Sequence, residues 1–70
     1  MGITFDLSSG DLVKIIEGRL KGKKGVVNSY YVSKYTGRPI YTISDIKGVR
    51  KILNYNRYKI KKLESTIEWE

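Results

Sequence analysis

Seventy residues leave room for one domain with a modest core. A chain without cysteine or histidine has no disulfides, no thiolate or imidazole zinc ligands, and no nucleophile or proton shuttle built on either side chain. Fourteen Lys and Arg against seven Asp and Glu give a net charge of +7, an excess that suits a polyanionic partner.

In chain order, Ile3, Phe5 and Leu7 alternate with polar residues, the period-two pattern of a half-buried strand or arm, and Ser8-Ser9-Gly10 ends it. Residues 12–16 form a β-branched strand, and Gly18, Gly22 and Gly25 punctuate the basic connection after it. Residues 26–32 are a second strand, with Val27, Ser29 and Tyr31 on one face and Val26, Asn28 and Tyr30 on the other. A loop over 33–39 leads to a third strand over 40–45. A tight turn at Lys47-Gly48 then gives a fourth over 49–53. Residues 54–57 suit one 3₁₀ turn before a fifth strand over 58–63. Sustained helical periodicity is absent, so the class is all-β and the architecture a small five-stranded barrel. Its expected core is Val13, Ile15, Val27, Ile43, Ile52 and Ile60. No apolar run is long enough to cross a bilayer, and the opening residues lack a secretory profile, so the expectation is a cytoplasmic protein with no membrane partner.

Residues 10–27, GDLVKIIEGRLKGKKGVV, put Gly10-Asp11 before a strand of alternating aliphatics. Gly18 follows that strand, then the pair Lys21-Gly22, then Gly25 and Val27 opening the next strand. This pattern resembles the KOW motif of ribosomal proteins and NusG-type transcription elongation factors. The resemblance implies an antiparallel SH3-like barrel over residues 10–64, with a 3₁₀ turn before its last strand. Residues 1–9 are then an N-terminal strand or arm, and residues 65–70 an acidic tail. It also implies a binding module rather than an enzyme. Elongation factors carry this module behind a polymerase-binding domain, and ribosomal relatives add extensions, so a small regulator of transcription or translation is the expectation for a free-standing barrel.

Three features bear on binding. Arg19, Lys21, Lys23 and Lys24 project from the glycine-shaped hairpin at spacings that suit neighbouring phosphates. Lys34, Tyr35 and Arg38 surround the second connection among Tyr30, Tyr31 and Tyr41, and Arg57 sits between Tyr55 and Tyr58. Aromatic rings beside cations stack on unpaired bases, which favours RNA over duplex DNA. Finally, residues 46–63 carry seven basic and no acidic residues, whereas the last seven residues carry Glu64, Glu68 and Glu70. The same lysines would also serve as a solvated surface, and the same tyrosines as cross-strand packing. Asp11, Glu17, Asp45 and the tail acids show no convergence, and no phosphate-binding Gly-x-x-x-x-Gly-Lys-Ser/Thr loop is present, so catalytic, metal and cofactor sites are all expected to be none. The expected partner is nucleic acid, with RNA polymerase, the ribosome or another host protein as further candidates. The alternative is a protein-interaction module, for example a phage- or plasmid-encoded regulator docking on a host machine.

Overall fold

The computed structural model describes residues 5–64. They form five strands and one 3₁₀ turn: β1 (Leu12–Ile15), β2 (Lys24–Val32), β3 (Pro39–Ser44), β4 (Leu53–Asn56), η1 (Arg57–Lys59) and β5 (Ile60–Lys62). All pairings are antiparallel, in the order β4-β3-β2-β1-β5. The all-β class, the five antiparallel strands and the 3₁₀ turn before the last strand are as expected. Among the described residues the ladder stops at β4 and β5, so the sheet is not closed into the expected barrel.

Alternation explains the core. Val13 and Ile15 on β1, Val27 on β2, Tyr41 and Ile43 on β3, and Ile60 on β5 point to one side and are almost fully buried. Leu7 and Ile46 join them from outside the strands. Residues 5–7 form no ladder, yet Leu7 is 1% exposed and Phe5 stacks on Tyr30 with ring centroids 4.4 Å apart. The tail over 65–70, read from the sequence as dispensable for folding unless Ile67 and Trp69 pair with Ile3 and Phe5, lies outside the described residues.

Two expectations fail in the second half of the sheet. Ile52 is 51% exposed rather than core, because the fourth strand begins four residues later than expected. The β3–β4 connection is not a tight hairpin: Asp45 and Gly48 take positive φ, and the Val49 amide closes a turn on the Ile46 carbonyl. That path drives Ile46 inward and delivers Leu53, not Ile52, opposite Ile43. The second correction concerns β2. A bulge between Val27 and Ser29 advances the register by one, so Tyr30 pairs with Tyr41 on the core side, while Ser29 faces outward and bonds Thr42.

Gly25 shows why the connection can pack so tightly. A Cβ there would strike the Ile43 side chain and come within 2.9 Å of Ile46 Cγ1 and 3.0 Å of the Ser44 carbonyl oxygen. Gly25→Ala is therefore expected to lower stability by about 1–3 kcal/mol, since a packed core accommodates extra volume only through strain. Urea unfolding checks this. An unchanged midpoint would mean that Ile46 moves aside freely.

Candidate nucleic-acid interface

The connection from β1 to β2 is held by its own backbone. The Ile15 amide donates to the Lys23 carbonyl and the Gly22 amide to the Ile15 carbonyl, both at 2.8 Å, while Lys21 and Lys23 close turns on Gly18 and Leu20. Gly22 sits at φ 95, where a side chain would be strained. A further bond from the Ile16 amide to the Lys59 carbonyl ties the connection to η1. Arg19, Lys21 and Lys23 are exposed on this frame, and Lys24 is half-buried at the start of β2. Asp11 has structural work: its carboxylate accepts from the Ser8 amide at 2.9 Å and lies 3.8 Å from the Lys62 ammonium.

The β2–β3 loop is equally ordered by local bonds. Ser33 Oγ accepts from the amides of Tyr35 and Thr36, and the Gly37 amide donates to the Ser33 carbonyl at 2.9 Å. Tyr35 is held at the tip, 96% exposed, with Lys34 and Arg38 exposed beside it. This loop and the basic connection stand at opposite ends of β2, whose nine residues separate them by about 25–30 Å of strand. The candidate binding residues thus form two surfaces rather than one.

Arg57 belongs to neither surface. Its Nε donates to both oxygens of the Asp6 carboxylate at 3.0 Å, and one terminal nitrogen donates to the Ile60 carbonyl at 2.7 Å. Asp6 also accepts from the hydroxyl of buried Tyr41 at 3.1 Å, so Arg57 and Tyr41 clamp residues 5–7 onto the sheet. The Arg57 hydrogen bond holds the Asp6 carboxyl below its ordinary value, while burial pushes the Tyr41 hydroxyl up, keeping it a proton donor.

A depressed folded-state pKa contributes stability that is fully present above the unfolded carboxylate value and is lost as pH falls through the folded one. Asp6→Asn is accordingly expected to be less stable than the parent at pH 7, with a shallower loss of stability on acidification below about pH 4. Urea titrations from pH 7 to pH 2 check this. Parallel curves for the two proteins would remove Asp6 from the acid response.

The tyrosines divide by position. Tyr41 is buried and Tyr55 packs against the core, while Tyr30 stacks on Phe5 and is otherwise exposed. Tyr31 and Tyr58 are exposed, with the Lys59 ammonium 5.9 Å from the Tyr58 ring. Sequence reasoning passed over Lys14 and Lys61. Lys14 lies between Val13 and Ile15, both read as core, and Lys61 follows Ile60; only the pairing register shows that Lys14 sits between Lys24 and Lys61.

Among the described residues, a single open sheet with a backbone-bonded basic connection makes a small all-β domain. The model of the KOW motif matches residues 9–40, just under half of the chain, and over that stretch the chain is similar to the KOW-motif family. No curated protein and no solved structure gives a significant match. KOW is a non-enzymatic binding motif, generally linked to nucleic-acid or ribosome-associated binding.

Proposed function

We propose that this chain is a non-catalytic KOW module that binds nucleic acid, RNA in preference to duplex DNA, in a cytoplasmic role regulating transcription or translation. The observation that carries the reading is the β1–β2 connection, a backbone-bonded frame that holds Arg19, Lys21 and Lys23 in solvent with Lys24 at its base. Cations on a rigid frame lose little freedom on meeting phosphates, and the net charge of +7 draws a polyanion to them. Tyr35, with Lys34 and Arg38, supplies a second contact of a different kind, a ring free to stack on an unpaired base.

The two surfaces should fail differently. Replacing Lys21, Lys23 and Lys24 together by Gln is expected to weaken binding to every RNA sequence. It should also flatten the plot of log affinity against log salt by roughly 0.7 per lost phosphate contact on a single strand. Tyr35→Ala should leave that slope unchanged, cost about 1–3 kcal/mol of affinity for single strands, and matter little on a duplex. Fluorescence anisotropy with labelled oligonucleotides at several salt concentrations measures both. A triple variant that binds like the parent at low and high salt would defeat the reading.

One observation favours a second reading, a protein-interaction module. Tyr30, Tyr31 and Val32 are consecutive and each more than 40% exposed at the far end of β2, with Tyr35 beyond them. Such a run suits aromatic anchoring of a host protein. Binding to a protein partner would then depend on Tyr31 and Tyr35 and vary little with salt.

A further inference from the structure

Lys14 on β1 is the Cα partner of Lys24 on β2 and of Lys61 on β5, so three lysines lie side by side across three adjacent strands. Directly paired residues share a face, and because Val13 and Ile15 point into the core, this row points out of it. The three line a cavity of about 370 Å³ together with Lys21, and Ile15, Ile16 and Leu63 supply its apolar part. Like charges directly opposite each other repel and destabilise a sheet. The ion pairs recorded among the described residues, Arg57–Asp6 and Lys62–Asp11, use none of the four lysines. A concave site lined by one sign of charge concentrates ions of the other.

We propose that this lysine row is the phosphate track of the module, with one polynucleotide strand crossing β2, β1 and β5 and resting a nucleotide on Ile16. The inference rests on the nucleic-acid reading above and says where the backbone runs. Two strand spacings make the row about 10 Å long, which spans about three nucleotide steps at roughly 3.4 Å of rise per nucleotide in a stacked strand. Ammonium groups are point charges that accept a phosphate from many directions, which suits a backbone read without regard to sequence. Apolar ground beside the cations accommodates a sugar or base and offers nothing to an acidic side chain. Lys21 and Lys24 join the row to the basic connection, so the strand leaves the sheet over that hairpin.

The test is the variant carrying Lys14→Gln and Lys61→Gln in the full chain, compared with the parent for binding to a twelve-nucleotide oligouridine across a salt series. The slope of log affinity against log salt should fall by about 1.4, for two contacts at roughly 0.7 each. The melting temperature should hold or rise as the repulsion is relieved. In the unaltered protein, amide resonances of Lys14 and Lys61 should shift on titration with the same RNA. If the parent binds the RNA but the variant keeps its slope and those amides stay still, the track is overturned and the module reading survives. If the parent ignores the RNA and instead binds polyglutamate through these lysines, both readings fall.

Discussion

Replacing Tyr41 by Ala should cost about 3–5 kcal/mol, the range for deleting a buried aromatic ring. At roughly 0.05–0.15 kcal/mol per residue, a chain of this length holds about 4–10 kcal/mol in total, so the variant should be largely unfolded at 37 °C. The reason is position. Tyr41 is 0% exposed, meets Phe5 edge-on at 6.0 Å, and its hydroxyl donates to Asp6 while accepting from the Asp6 amide at 3.2 Å. Tyr41→Phe separates the parts: it keeps the ring and loses only the hydroxyl, for about 1 kcal/mol. Circular dichroism during urea unfolding distinguishes the two. An Ala variant that stays within 1 kcal/mol of the parent would show that residues 5–7 are not clamped through Tyr41.

Ile15→Ala is expected to cost about 2–5 kcal/mol, because Ile15 is fully buried where β1 meets both β2 and β5. The informative comparison is Ile52→Ala. Both residues are isoleucines expected in the core, but Ile52 is half-exposed in the β3–β4 connection, and its truncation should cost less than about 1 kcal/mol. Equal effects at the two sites would contradict the placement of β4.

That contrast shows what could be learned before the fold was known. β1 and β3 were legible because each buries one face, so Val13, Ile15, Tyr41 and Ile43 recur at period two. β4 was not, since Leu-Asn-Tyr-Asn has poor strand propensity and is a strand only because β3 is already there to pair with it. The apolar stretch around Val49 and Ile52 looked more strand-like and is a connection. Ile46 was missed for a related reason, because its burial depends on the space left by Gly25, 21 positions earlier. The β2 bulge leaves no local mark, yet it decides that Tyr30 and not Tyr31 meets the core.

For the candidate site, residue types carried the hairpin lysines and the exposure of Tyr35. Arg57 looked like a free cation beside two tyrosines, but its bidentate partner Asp6 lies 51 positions away, and nothing in the chain between them announces the pairing. Lys14 and Lys61 were invisible as a pair for the same reason: adjacency across strands is a property of register.

The length of β2 has a consequence for any strand that touches both ends of the molecule. The strand works as a calliper with fixed jaws, one set of lysines and one tyrosine about 25–30 Å apart. A polynucleotide rising roughly 3.4 Å per residue needs about eight or nine nucleotides to reach from one jaw to the other. Below that length each end must bind on its own. Above it, the second contact becomes intramolecular and gains from a high effective concentration. Affinity should therefore climb in a step with oligonucleotide length, and the position of the step reads out a distance set by nine residues of sheet.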